Sequence, residues 1–304
     1  MKPVIRFFLI TTLLISFIYS DSNAQAERDW WNSLSPGWKK VFRDQELKGK
    51  DVVPNDEQLD RMVKISHIDC SENKDIEDLK PLKMCTLLEE IRCNNTGIKS
   101  LEGIEGLTNL RKLDCSNNDN ISSLIPLRGL ASLEELNCGN TMIKDLSPLR
   151  GMANLKKLDV HFCTVNKLLV IGELKKLEIL DVSKNQSLFD LVGMETLVNL
   201  REFDCSETQV NNLAPLSLLK KLEILDVSKT AINTLRPIQQ LKSLKELDAS
   251  ETAITAASLD YLYAHVALEM LRARSIDATT KQIDEFQTTM LKKIPNCTFV
   301  ITPK

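Results

Sequence analysis

The sequence predicts an α/β solenoid, a curved right-handed superhelix with a parallel sheet on its concave face and short 3₁₀ or α turns on its convex face. Three observations predict this fold. One phrase recurs at nearly constant spacing, its apolar residues alternate as they do in a strand, and segments that often contain Pro connect successive copies. The segments outside the repeats predict a helical N-terminal cap and a C-terminal cap made of a helix and a strand.

The recurring phrase is clearest at residues 65–73, 110–118 and 222–230. Ile or Leu stands at its first and fourth positions, Cys or Val at its sixth, and Asn or Thr at its ninth. The ninth position is filled in order by Asn73, Thr96, Asn118, Thr141, Cys163, Asn185, Thr208, Thr230 and Thr252. Subtracting these numbers gives steps of 23, 22, 23, 22, 22, 23, 22 and 22, and each step of 23 begins at an Asn. We therefore expect Asn to hold a turn one residue wider by bonding backbone groups of neighbouring coils.

Each copy of the phrase predicts a short strand, because strand side chains alternate between two faces. Leu113 and Cys115 are then inward, whereas Lys112 and Asp114 are outward. The return path often reads Leu-x-Pro-Leu, with the Pro at Pro81, Pro148 and Pro215. Because Pro suits the first turn of a helix, single turns of 3₁₀ or α-helix are expected on the convex side.

These residues resemble the 22-residue class of leucine-rich repeats found in bacterial internalins and in the leucine-rich regulatory subunit of protein phosphatase-1. The resemblance covers about residues 65–274. It implies the solenoid fold and the binding of a protein or peptide on the concave face. The chain shows no cell-wall sorting tail of the internalin kind, so an adhesion or invasion role is not carried over.

Residues 1–26 are typical of a signal peptide. Lys2 and Arg6 precede an apolar run at 7–19, and Ala24 and Ala26 offer cleavage sites. The run is shorter than the roughly 20 residues that a membrane-spanning helix needs, and no second long apolar segment follows. We expect an exported protein, periplasmic, cell-surface-associated or secreted, with no membrane span after signal removal.

Residues 27–64 are expected to form the N-terminal cap. Ser35 before Pro36 can begin one helix, and Asn55 with Gln58 can begin a second. The same segment holds all three tryptophans, Trp30, Trp31 and Trp38. Their rings either pack on the first coil or contact a glycan or another partner.

Residues 275–304 are expected to form the C-terminal cap. Thr279 and Gln282 make a possible capping box, and Pro295 is expected to stop the helix that they begin. The apolar face of this helix is expected to carry Ile283, Phe286, Met290 and Ile294. The β-prone segment 298–301 can pair with the last repeat strand and close the sheet edge.

Five of the eight cysteines share one inward repeat position, which Val or Ala fills in other coils: Cys70, Cys93, Cys115, Cys138 and Cys205. We interpret them as core residues rather than as a disulfide framework. The spacing of Cys and His matches no metal site, and the chain carries no phosphate loop, nucleophile elbow or HExxH motif. With a net charge of −3, nothing indicates nucleic-acid binding. The sequence therefore predicts no enzyme, no cofactor and no metal site.

The outward residue between the two inward sites is Asp in most coils, at Asp69, Asp114, Asp159, Asp181, Asp204, Asp226 and Asp248. Arg92 and Asn137 interrupt the column, and Arg92 is expected to pair with both Asp69 and Asp114. From Asp159 to Asp248 five acids follow without relief, about 4.8 Å apart. Three explanations stay open: hydrogen bonds from the neighbouring Ser column, a basic protein ligand, or a cation.

Two further features lie near this acidic column. Ile179 and Ile224 take outward positions within a duplicated decapeptide, where they are either ligand contacts or a copied drift of the repeat. His161, next to Phe162, is expected beside an open notch at Gly139, as a solvated side chain or a contact.

The leading hypothesis is an exported recognition module that binds a protein or peptide on its concave face, with neither its partner nor its oligomeric state specified. The candidate ligand-binding residues are Asp159, His161, Ile179, Asp181, Asp204, Ile224, Asp226 and Asp248. The alternatives are a glycan or cell-envelope binder that uses the Trp-rich segment, and a passive scaffold.

Overall fold

The computed structural model describes residues 22–304, so most of the predicted signal peptide lies outside the described residues. Three helices open the described chain: α1 at 22–33, α2 at Pro36–Leu47 and α3 at Asp56–Val63. The Ser35 hydroxyl accepts the Trp38 N–H at 3.3 Å, and Asn55 with Gln58 forms the expected capping box. Residues 22–26, which carry both predicted cleavage sites, are part of α1.

Eleven parallel strands, β1 to β11, form one sheet in sequence order. They span His67–Asp69, Glu90–Arg92, Lys112–Asp114, Glu135–Asn137, Lys157–Asp159, Ile179–Asp181, Glu202–Asp204, Ile224–Asp226, Glu246–Asp248, Met270–Ile276 and Thr298–Pro303. Within each repeat strand the central residue is buried between two more exposed neighbours, as strand alternation requires. The expected parallel sheet of an α/β solenoid is confirmed.

Short 3₁₀ turns connect most of the strands on the opposite side of the solenoid. They span Lys80–Met84, Ile125–Leu127, Ser147–Leu149, Leu169–Glu173, Met194–Thr196, Ala214–Leu216, Arg236–Ile238 and Asp260–Leu262. Pro81, Pro148 and Pro215 each stand at the start of such a turn, where a missing N–H leaves no intrahelical bond unmade.

The Asn and Thr residues at the ninth repeat position bond the backbone in different ways. Asn118 donates to the carbonyls of Cys115 and Ser116 in its own coil and of Cys93 in the preceding coil, at 2.9–3.1 Å. Thr141 instead donates to one carbonyl of its own coil, that of Cys138, at 2.7 Å. The Asn118 side chain therefore joins two coils, as expected. The Cys163 thiol, which begins a step of 22, also donates to the preceding coil, so this bond alone does not set the length of the step.

The three tryptophans pack into the N-terminal cap. Trp30, Trp31 and Trp38 are 8%, 3% and 2% exposed. The indole N–H of Trp30 donates to the carbonyl of Pro81 at 2.9 Å, and that of Trp38 donates to the carbonyl of Asp78 at 3.0 Å. Both acceptors lie in the first return path, so these rings cover the open end of the first coil.

All eight cysteines lie within the described residues as buried, unpaired thiols. Burial raises the pKa of Cys70 and of Cys85 to about 12. The Cys163 thiol, which replaces Asn or Thr at the ninth position, donates to the carbonyl of Cys138 at 3.2 Å. The interpretation of the five-cysteine column as core is confirmed, because each member is at most 2% exposed.

The segment predicted as the C-terminal cap contains helix α5 at Thr280–Leu291 and strand β11, whereas the short helix α4 at Ala256–Leu259 lies earlier, in the return path between β9 and β10. Thr279 and Gln282 form the expected capping box, and β11 pairs with β10 in parallel, which extends the sheet by one strand beyond the last repeat. Helix α5 ends at Leu291, ahead of Pro295, so Ile294 lies beyond the helix and is buried from the following turn. Strand β10 continues to Ile276, two residues past the predicted end of the repeats at 274.

In the part of the chain from residue 22 onward, no helix has the length and apolar character needed to cross a bilayer.

Candidate concave binding face

Strand register places five aspartates side by side on β5 to β9, and we call this set the acidic column. Each member is paired in register with the next: Asp159, Asp181, Asp204, Asp226 and Asp248. All five are half-buried. The column therefore exists as expected, with like charges on adjacent parallel strands.

Every carboxylate of the acidic column accepts a backbone N–H from two residues further along the chain. Asp181, Asp204 and Asp226 accept the N–H groups of the serines that follow them, each at 2.8 Å. Asn137 makes the same bond to Gly139 at 3.0 Å. These bonds confirm the expected link to the Ser column and give each Asp a structural role within its own turn.

Four serines of that column are buried, although strand alternation gives them outward positions. They are Ser116, Ser183, Ser206 and Ser250.

Two carboxyls near the centre of the acidic column have perturbed acidity. Burial, with the neighbouring charges of Asp226 and Asp181, raises the pKa of Asp204 from 3.8 to about 6, against the opposing bonds from Ser206. Burial and the adjacent Asp248 likewise raise the pKa of Asp226. The hydrogen bonds thus do not compensate fully for the loss of water and the crowding of charge.

In the first half of the sheet, Arg92 forms a different ion pair from the two that the sequence predicts. Arg92 bonds Glu90 of its own strand at 2.7 Å, rather than Asp69 and Asp114. Lys112 and Lys157 lie on either side of Glu135, at 3.0 and 3.7 Å. The first residue of each repeat strand is outward. At this position acidic and basic side chains alternate from β2 to β5, whereas no strand from β6 onward has a basic side chain there.

Ile179 and Ile224 occupy this position on β6 and β8, with Glu202 of β7 in register between them. Ile179 is half-buried and Ile224 is 37% exposed. The two side chains thus give the second half of the face an apolar component beside the acidic column.

His161 lies at the start of the acidic column. Its Nδ1 is 2.7 Å from Asp159 Oδ1, and both side chains are 34% exposed. A Cβ added at Gly139 would clash with that Nδ1, so the imidazole itself fills the notch that the sequence predicts as open.

Asp159, His161 and Asp181 also bring three potential metal-ligand atoms within 4.8 Å of one another. The sequence predicts no metal site, and this stays a prediction.

Two exposed apolar side chains lie on the rim of the face, just beyond the strand ends. Phe162 is 58% exposed and Met142 of the preceding coil is 55% exposed. Sequence reasoning did not select Met142. The available signal was that both side chains are large and apolar at repeat positions that other coils fill mostly with polar or small residues.

Comparison with known proteins supports the fold. The family model for leucine rich repeats (two copies) matches residues 86–129 and 108–151. An internalin from Listeria monocytogenes (InlF) superposes with a TM-score of 0.74 at 21% identity, covering 88% of this chain and 89% of that one. No curated protein matches this chain in sequence.

Two further solved structures share the architecture. The functional domain of InlJ from Listeria monocytogenes, which includes a cysteine ladder, has a TM-score of 0.68 at 18% identity and covers 91% of this chain and 61% of that one. The plant peptide hormone receptor RGFR1, solved in complex with RGF2, has a TM-score of 0.58 at 16% identity and covers 71% and 36%. Residues 86–151 thus match leucine-rich repeats, and the solenoid as a whole is similar in fold to those of the internalins.

Proposed function

We propose that this chain is an exported recognition module that binds a basic protein or peptide on its concave face. The contact surface comprises the acidic column with Ile179, Ile224 and His161. The observation that carries the proposal is the in-register row of five aspartates beside two outward isoleucines.

The electrostatic cost of the row supports a ligand of opposite charge. Five carboxylates on strands about 4.8 Å apart repel one another. The turn bonds alone do not require this charge, because Asn137 makes the same bond with a neutral side chain. Basic groups of a partner would relieve the repulsion, and complementary charge steers association and fixes register.

Ile179 and Ile224 add apolar contact area to the charged face. Aliphatic side chains bury area against a partner and contribute affinity that salt does not screen. An all-charged face would bind any polycation, whereas a face with apolar positions on alternate strands selects spacing as well as charge.

The burial of all three tryptophans argues against the glycan or cell-envelope alternative, since those rings are used in the cap. Export is the second part of the proposal, and it rests on the charged start and the apolar run at 7–19. Whether cleavage follows Ala24 or Ala26 is settled by N-terminal sequencing of the protein recovered outside the cytoplasm. Recovery of uncleaved protein from the cytoplasm would refute export.

The test of binding is partner capture from an envelope extract with the Ile179→Thr, Ile224→Thr double variant. We expect capture to be lost with little change in melting temperature, because Thr is also β-branched and adds no charge beside Glu202 and Glu246. The matched control replaces two exposed leucines of the return path, Leu169→Thr and Leu218→Thr, whose side chains are 69% and 61% exposed. Capture that survives the concave pair, or is lost with the control pair, contradicts the assigned face.

A further inference from the structure

One residue in most coils takes a left-handed backbone conformation just after the strand. These positions are almost all polar or charged: Glu72, Asn95, Asn117, Asn140, Lys184, Glu207, Lys229 and Glu251. The exception is Phe162, with a φ of 48°. Left-handed backbone disfavours large side chains, and Asn tolerates it best among residues other than Gly.

Phe162 is unfavourable in two respects. Its backbone is held left-handed by the regular coil geometry, with its N–H donating to the carbonyl of Ser183 at 2.8 Å. Its ring is 58% exposed, so it buries little area in return. Strain together with an exposed aromatic ring at one position indicates a contact surface rather than a packing role.

The ring forms one wall of a hollow on the rim of the solenoid. The hollow has a volume of about 560 Å³ and is also lined by Met142, Thr164 and Gln186. Pockets that enclose a small ligand group start at about 300 Å³. This hollow is thus large enough to take one large aliphatic or aromatic side chain between Phe162 and Met142.

The hollow adjoins the acidic column, because Phe162 follows Asp159 by three residues in the same coil. The column crosses four strand spacings from Asp159 to Asp248, which is about 19 Å. An extended chain covers about 3.3 Å per residue, so about six residues span it. Because the column is negatively charged, a peptide segment that lies along it is expected to be basic.

We propose that the rim hollow between Phe162 and Met142 is the anchor site for one aromatic or large aliphatic side chain at the end of a basic, extended peptide segment of about six residues. This inference rests on the proposed function, since the basic segment lies along the acidic column. Because of the hollow, the ligand needs an apolar side chain at one end of its basic segment. This restricts the set of possible partners more than charge alone does.

The test uses a random peptide display library as the probe against the purified protein. Wild type is expected to enrich Lys- and Arg-rich peptides with an aromatic or aliphatic residue at one end of the basic run. Phe162→Asn is expected to keep the basic enrichment and to lose the terminal apolar preference. The matched control Lys229→Asn changes the same left-handed position in a coil outside the hollow, and it should select as wild type does.

Measured affinity for one selected peptide gives the magnitude. Phe162→Asn should weaken it about tenfold or more, as expected from losing one buried side chain contact. Replacing the peptide's anchor by Ala should have a similar effect, and the two losses should not add. Phe162→Asn should also raise the melting temperature by roughly 2 °C, because Asn suits the left-handed backbone better.

The outcomes separate the two proposals. A library that enriches no basic peptides on wild type overturns the proposed function and this inference with it. Basic enrichment without an apolar preference, or with an apolar preference that Phe162→Asn retains, overturns the anchor site alone.

Discussion

Asp204 gives the sharpest test of how the acidic column affects stability. It lies in register between Asp181 and Asp226, and its pKa is raised from 3.8 to about 6, first by burial and then by these two charges. Because the folded pKa exceeds the unfolded one, the ionised carboxyl destabilises the fold above pH 6. That penalty disappears as the pH falls from 6 towards 4.

The substitution Asp204→Asn removes the charge and keeps the side-chain oxygen that accepts the Ser206 N–H. Asn137 shows that an amide oxygen makes this bond at the equivalent position. The difference between about 6 and 3.8, at about 1.4 kcal/mol per pKa unit, sets an upper limit of about 3 kcal/mol. Solvent screening of a half-buried group reduces this, so we expect a gain of about 1–2 kcal/mol above pH 7.

Urea unfolding at pH 7.5 and pH 4.5 measures the effect. The variant should be more stable than wild type at pH 7.5, and the difference should shrink towards zero at pH 4.5, where wild-type Asp204 is largely protonated. The matched control is Asp114→Asn, whose column neighbours are Arg92 and Asn137 rather than acids. A stability gain that is independent of pH, or equal in the control, would refute the role of charge crowding.

Three further predictions concern the framework. His265 is fully buried, with its Nε2 3.1 Å from the carbonyl of Ile238, and burial lowers its pKa. The neutral imidazole therefore stabilises the fold above pH 6.5, and this contribution is lost as the pH falls below 6.5. In urea titrations, the His265→Asn variant should lose less stability between pH 7 and pH 5 than wild type does. Asn118→Ala leaves three buried carbonyls without this donor and should destabilise by about 3 kcal/mol, against about 1 kcal/mol for Thr141→Ala; equal losses by urea unfolding would contradict the joining of two coils by Asn. All eight thiols should react with a thiol reagent only in denaturant, to the same extent with and without prior reduction, and fewer than eight before reduction would reveal a disulfide.

The solenoid could be predicted well from the sequence, because the same pattern of inward and outward residues recurs in every repeat. Leu113 and Cys115 are inward for the same reason as their counterparts in every other coil, so one period determines the nine repeat strands β1 to β9. The capping boxes could be predicted equally well, because a capping box such as Asn55 with Gln58 depends only on residues that are close in sequence.

Side-chain choices across coils were less predictable. Arg92 has carboxylates on three sides, and it bonds Glu90 of its own strand rather than its two column neighbours. The notch at Gly139 was inferred from the absence of a side chain, yet His161 turns into that space towards Asp159. Both outcomes depend on rotamers, which repeat spacing does not specify.

The candidate site was predictable in position but not in energetics. Spacing alone placed the five acids on adjacent strands, whereas the raised pKa of Asp204 depends on how far each carboxyl folds back onto its own turn. The rim hollow needed the backbone as well, because left-handed φ at Phe162 is a property of the coil and not of the residue.

Photo-crosslinking tests the concave face most directly. A photoreactive amino acid placed at Glu202, between Ile179 and Ile224, should cross-link the captured partner from an envelope extract. The same residue placed at Leu218, exposed on the return path, should give no such product. Cross-linking from position 218 and none from position 202 would contradict the assignment of ligand binding to the concave sheet.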